Sequence, residues 1–203
     1  MVVKITNYLF SILALYRTDY NKSFHVRALA KLLNTSHVTL LPYLKNLEKN
    51  KILQSQKVGR NKEYRLEFSN ILTKEYLMLS EKLETIKYLQ KNFLLKKISQ
   101  HLMDVNLQGT VALFGSYAKN YATETSDIDL FHLGKISENQ MTNIKKIGKI
   151  YGKELNVKTS SIKNFNQALT TGDPLVKEII KNHFILQNPD LFVNLLWRNY
   201  VAT

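Results

Sequence analysis

Leu113-Phe-Gly-Ser-Tyr-Ala-Lys-Asn-Tyr-Ala-Thr-Glu-Thr-Ser-Asp-Ile-Asp-Leu130 decides how this 203-residue chain is read. An apolar run from Thr110 to Phe114 enters Gly115-Ser116, and a second run from Asp127 to Phe131 carries two acids one residue apart. Strand side chains alternate with period two, so the spacing predicts that Asp127 and Asp129 share one sheet face. Two like charges that close repel. The pair becomes favourable when a divalent cation that prefers oxygen ligands sits between the carboxylates and a substrate phosphate, and Mg²⁺ is the expected ion. Gly115 removes a β-carbon where backbone must approach a phosphate, and Ser116 offers a backbone N–H, a hydroxyl and the start of a helix.

Strand, Gly-Ser, helix and then Ser126-Asp127-Ile128-Asp129 between apolar flanks resembles the small nucleotidyltransferases of the DNA polymerase beta superfamily, in particular the minimal prokaryotic type. The resemblance implies that Gly115, Ser116, Lys119 and Ser126 bind the nucleotide. It also implies that Asp127 and Asp129 are both the catalytic pair and the Mg²⁺ ligands, with ATP or another NTP as substrate. Relatives commonly have Arg and Gly where this chain has Lys119 and Asn120. They usually take a third carboxylate from a following strand, whose place is occupied here by Leu155-Asn156-Val157, with Glu154 two positions away on the same face.

The charge is uneven. Residues 1–70 hold twelve Lys and Arg against four Asp and Glu, whereas residues 104–203 hold eleven against nine, within a formal total of +13. A basic module of this size points to nucleic acid, because neutralising phosphates releases counterions. Apolar residues at Ile5, Tyr8, Leu9, Ile12, Leu13 and Tyr16 predict a first helix. Arg27 to Leu33 predicts a second, with Ala28, Leu29, Leu32 and Leu33 on its apolar face. Asn34-Thr35-Ser36 breaks the pattern, and a third helix follows from His37 to Asn50 with Val38, Leu41, Leu44 and Leu47 at helical spacing. Pro42 inside that stretch predicts either a kink or a late start capped by Thr39. Ile52-Leu53 opens a strand, and Lys57-Val-Gly-Arg-Asn-Lys62 is a basic hairpin loop.

This order resembles the winged helix-turn-helix domains of prokaryotic regulators. On that resemblance Ser36, His37, Thr39, Tyr43 and Lys45 would face double-stranded DNA, and Lys57, Arg60 and Lys62 in the wing would contact phosphate. From Asn70 to Met103 there is no Pro or Gly, and Leu72, Tyr76, Leu79, Leu83 and Ile86 form two heptads before the register fails at Gln90. A long connecting helix is expected, pairing with its copy in a homodimer or folding back on its own domains.

Glu138 to Lys153 reads as a helix, Glu154 to Thr159 as a strand, and Phe165–Leu169, Asp173-Pro174 through Ile180, and Pro189 onward as covering helices. The chain is therefore read as α+β: a winged helix-turn-helix over 1–69, a connecting helix over 70–103, and a nucleotidyltransferase-like mixed sheet flanked by helices over 104–203. The whole resembles archaeal and bacterial proteins that fuse these two modules. The expected reaction is transfer of AMP or another NMP to a hydroxyl acceptor, a protein being one candidate because related antitoxins adenylylate a partner toxin. The alternative is a transcriptional regulator whose second domain is inactive and only binds nucleotide. With no cysteine, disulfides and thiolate metal sites are excluded and a cytoplasmic location is the expectation. No apolar run is long enough to span a bilayer.

Overall fold

The computed structural model describes residues 8–59 and 61–201. Ile5 and Arg60, which figured in the sequence reading, lie outside the described residues. The chain is α+β and divides into two compact units, Met1–Leu83 with Tyr200–Thr203, and Glu84–Asn199.

In the first unit, α1 (Tyr8–Ala14), β1 (Phe24–His25), α2 (Val26–Leu32) and α3 (His37–Lys49) precede the hairpin β2 (Leu53–Val58) and β3 (Asn61–Leu66). The three strands form an antiparallel sheet in the order β1-β3-β2. The two-residue β1 was not anticipated; it pairs Phe24 with Tyr64 and His25 with Glu63. Leu29, Leu40, Leu44, Leu47, Ile52 and Leu66 are buried together with Ile12, Leu13 and Tyr16. Leu32 and Val38, assigned to apolar helix faces from spacing, are instead 56% and 62% exposed. The inward face of α3 is set by Leu40, Leu44 and Leu47, and Val38, two residues before Leu40, lies about half a turn around the helix from it. Ser36, not Thr39, caps α3: its hydroxyl accepts the Thr39 N–H at 3.1 Å. His37 and Val38 therefore belong to the helix, and Pro42 sits inside it, where it forfeits the bond its N–H would have made to the Val38 carbonyl.

The connector is not one helix. α4 (Ile71–Lys91) and α5 (Phe93–Asp104) are separated at Asn92, whose backbone leaves the helical region (φ −120°, ψ 86°) while its side-chain amide caps the Tyr88 carbonyl at 2.8 Å. The buried residues of α4 are Thr73, Leu77, Met78, Ser80, Glu81, Thr85 and Tyr88, and three of the five predicted heptad positions, Leu72, Leu79 and Ile86, are exposed. Glu81 is buried because Arg17 meets its Oε2 at 2.6 Å. Removing either partner would strand a buried charge at a cost of ~3–5 kcal/mol.

In the second unit β4 (Thr110–Phe114), the single-turn α6 (Gly115–Ala118), β5 (Ile128–Leu133), α7 (Glu138–Ile150), β6 (Leu155–Ser160), α8 (Ile162–Thr171), α9 (Pro174–Lys181), β7 (Phe184–Gln187) and α10 (Pro189–Val201) follow. The sheet order is β6-β5-β4-β7, with β5–β6 parallel and the other pairs antiparallel. β7 was not foreseen, since Phe-Ile-Leu-Gln between two helices has no alternation to distinguish it from a helical segment. One sheet face, through Val111, Leu113, Ile128, Leu130 and Leu155, packs with Ile98 and Leu102 of α5 and Ile144 and Ile147 of α7. The opposite face carries Phe131, whose ring meets Phe165 of α8 at 5.6 Å, which in turn meets Phe192 of α10 at 5.8 Å. Asp129 alternates onto this second face, away from α7. Among the described residues no helix is long and apolar enough to cross a membrane.

Candidate functional site

β4 delivers the chain into Gly115 at φ +70°, a left-handed conformation that glycine adopts without strain. Phe114 lies opposite Asp129 in the β4–β5 register, so Gly115 hugs that carboxylate: a β-carbon there would sit 2.1 Å from Asp129 Oδ2. Tyr88 braces the turn from below, donating its hydroxyl to the Tyr117 carbonyl at 2.7 Å and stacking on Phe184 at 3.8 Å. The helix after Gly-Ser is one turn only. Two residues past its last residue, Asn120 takes φ +58°. After glycine, Asn is among the residues that best tolerate this backbone.

Asp127 falls one residue before β5 begins rather than within it, yet the two carboxylates still converge. Asn156, opposite Asp129 in the parallel register, donates its amide to Asp127 Oδ2 at 3.3 Å and lies close enough to Asp129 to favour its charged form in part. Desolvation pushes the Asp129 carboxyl above the usual carboxylate range, the Asp127 charge raises it further, and Glu178 adds a smaller push. An oxygen-lined site with that excess of negative charge fits a hard cation. Among the described residues no group of three or more His, Cys, Asp or Glu could hold a metal, so a cation at this pair of carboxylates would need further ligands from outside the chain.

The raised Asp129 has a stability consequence. A carboxyl whose folded-state pKa exceeds its unfolded value destabilises the fold increasingly as pH climbs through that interval, and costs nothing below the unfolded value. In chelator, Asp129→Asn is therefore expected to raise Tm at pH 7 and to leave it unchanged at pH 3. Differential scanning calorimetry at the two pH values checks this, and equal gains at both would mean the effect is not ionisation.

The other expected nucleotide ligands are placed less simply. Ser116 is partly exposed at the turn. Lys119 is ion-paired with Glu178 of α9 at 2.5 Å, so it must exchange that partner to meet a phosphate. The Ser126 hydroxyl accepts the Thr123 N–H at 2.8 Å and approaches Thr123 Oγ1 at 3.1 Å, shaping the loop before Asp127. Sequence reasoning missed the group that fixes this loop. Lys153 donates to the Glu124 and Ser126 carbonyls and lies 5.8 Å from the Tyr117 ring centroid, tying the acid-bearing loop to the Gly-Ser turn. Glu154 bonds through its carbonyl to the Ile128 N–H at 2.9 Å, and the charges acting on Asp129 are those of Asp127, Glu178 and Lys158.

Of the residues expected to face DNA, His37, Lys45 and Lys57 are exposed. Ser36 and Thr39 are occupied by the helix cap, with their hydroxyls 2.8 Å apart. Tyr43 is half-buried, its ring 5.6 Å from that of Tyr8, and Lys62 is paired with Glu48 at 2.8 Å.

Residues 94–187 match the family described as "Nucleotidyltransferase domain", a segment that contains the Gly-Ser turn, both acids, Asn156 and Glu178. A solved structure described as "Crystal structure of the toxin-antitoxin with AMP-PNP" is similar at 18% identity and a TM-score of 0.36, over 53% of this chain and 83% of that one. No curated protein matches.

Proposed function

We propose that the second unit transfers a nucleoside monophosphate, AMP from ATP, to a hydroxyl acceptor, and that residues 1–69 bind double-stranded DNA as a winged helix-turn-helix. The observation that carries the first part is the convergence of Asp127 and Asp129 beneath the Gly115 turn within a nucleotidyltransferase domain.

Asp127 and Asp129 would hold Mg²⁺, which when bound neutralises the triphosphate and polarises the α-phosphoryl group. Gly115 lets the backbone N–H groups of the turn approach the phosphates, and Lys119 supplies a cation there on leaving Glu178. The acceptor oxygen bonds to the α-phosphorus as the bond to pyrophosphate breaks, and the acceptor's proton passes to water. Asn156 cannot take that proton at neutral pH, and a loose phosphoryl-transfer transition state demands little from a base.

The same Asn156 favours a second reading, a DNA-binding regulator whose second unit binds nucleotide without turning it over, because an amide replaces the negative charge that a third carboxylate would supply. Incubating the full chain with α-labelled ATP, Mg²⁺ and extract separates the two. A labelled acceptor that disappears with EDTA supports the transferase, and nucleotide bound without labelled product supports the sensor.

For the first unit the support is the basic charge and the helix, turn, helix, hairpin order. Duplex affinity is expected to fall steeply with salt, and the combined Lys57→Ala and Arg60→Ala change to reduce the slope of log K against log salt by about 2. Fluorescence anisotropy on a mixed-sequence duplex measures it, and a slope near zero in the parent chain would refute DNA binding.

A further inference from the structure

β6 is an outer strand of the four-stranded sheet. Its inner ladder runs through the even-numbered residues: Ile128 N–H bonds to the Glu154 carbonyl at 2.9 Å and Gly134 N–H to the Ser160 carbonyl at 3.0 Å. In a parallel ladder the intervening residues turn their backbone groups the other way, so Leu155, Val157 and Thr159 present N–H and C=O outward. Among the described residues no other element pairs with that edge.

The two sides of the edge differ in chemistry. Leu155 and Val157 pack on the α7 side, where a groove of about 870 Å³ runs between α7 and β6 past Met141, Lys145 and Lys149. Asn156 alternates to the other side, where its amide touches Asp127. A strand added to β6 would thus place alternate side chains in an apolar groove flanked by lysines and, on the opposite face, next to the acid pair.

We propose that this edge is the acceptor site: an extended, acidic segment of a partner protein adds to β6 as a fifth strand and presents a hydroxyl side chain beside Asn156 to the bound NTP. This rests on the transferase reading and names its acceptor class. Backbone hydrogen bonds supply affinity in such strand addition, and alternate pockets supply specificity. Charge selects the occupant. Lys145, Lys149 and Lys158 are exposed along this edge and outnumber the exposed Glu154, so a second copy of the chain would bring a net positive edge against its like, whereas Glu and Asp in the incoming segment complement it. The hydroxyl oxygen forms the new bond to the α-phosphorus, pyrophosphate departs, and the proton goes to water.

The probe is a fluorescein-labelled peptide that alternates valine with tyrosine between terminal glutamates, titrated with the full chain and Mg-ATP. N-methylation of every second peptide amide is expected to weaken binding at least tenfold. Val157→Pro, which deletes an outward N–H and leaves the inner ladder intact, is expected to do the same while ATP affinity stays within twofold. Lys145→Glu with Lys149→Glu lowers affinity further and flattens its salt dependence.

Equal binding of the N-methylated peptide to the unaltered chain overturns the proposal without relying on any variant folding, as does failure of the parent peptide to bind. Peptide that docks in this manner yet never receives label from α-labelled ATP defeats the transferase reading and leaves strand addition standing. Labelling that persists with both Val157→Pro and the N-methylated peptide does the reverse.

Discussion

Replacing Asp127 by alanine is expected to lower nucleotidyl transfer by at least 10²–10³-fold, on the order found when a preorganised electrostatic group is removed from a charge-developing transition state. Asp127 is exposed, and the protein contact its carboxylate makes is the 3.3 Å bond from Asn156. The fold therefore loses little, and Tm should move by no more than a degree or two. What disappears is one of the two carboxylates proposed to hold the cation, together with the charge that raises Asp129. In the variant the Asp129 carboxyl should titrate closer to an ordinary aspartate while transfer is lost, a combination that unfolding would not produce. Single-turnover assays with α-labelled ATP, run beside a thermal melt, test both halves. Retained transfer in a folded variant would remove Asp127 from the site.

Much of this site could be read from the chain because short-range rules govern it. The alternation that makes β4 and β5 strands also fixes the face of Asp129, and a Gly-Ser at the strand end needs no distant information. The same holds for the Asn120 position, where a residue that accepts positive φ is required. The missed features depend on side chains that arrive from elsewhere. Lys119 looked free because Glu178 is 59 residues away in sequence. Lys153, just past the end of a helix with other lysines, gives no local sign that it will pin the loop carrying Asp127. The heptad seam of α4 was misjudged for a related reason. Periodicity locates an apolar stripe but does not say whether the fold covers it, and here the covered stripe is the more polar one, held by the buried Arg17–Glu81 pair. Asn92 broke the connector through its backbone, which propensity alone does not dictate.

Gly115→Ala is expected to be as damaging to transfer as losing an acid, by a different route. The φ of +70° costs an alanine ~1–2 kcal/mol, and the added methyl carbon would lie 2.1 Å from Asp129 Oδ2 and 3.1 Å from Asp129 Cβ. The carboxylate must swing by about 1 Å to clear the methyl, and because Asp129 Cβ is held by its strand, the 3.1 Å contact with it asks for a further small adjustment of β5 or the turn. A displacement near 1 Å at a reacting centre costs about 10²-fold in rate. Turning Asp129 away from Asp127 also dismantles the paired acids, so ATP binding that depends on the divalent ion should weaken with it. The clash has a specific partner, which permits a sharper test than loss of activity. Combining Gly115→Ala with Asp129→Gly removes the obstructing carboxylate, so thermal stability should recover beyond the sum of the single changes while transfer stays absent. Additive stabilities in that cycle would mean that backbone strain, and not contact with Asp129, is why glycine is needed at this turn.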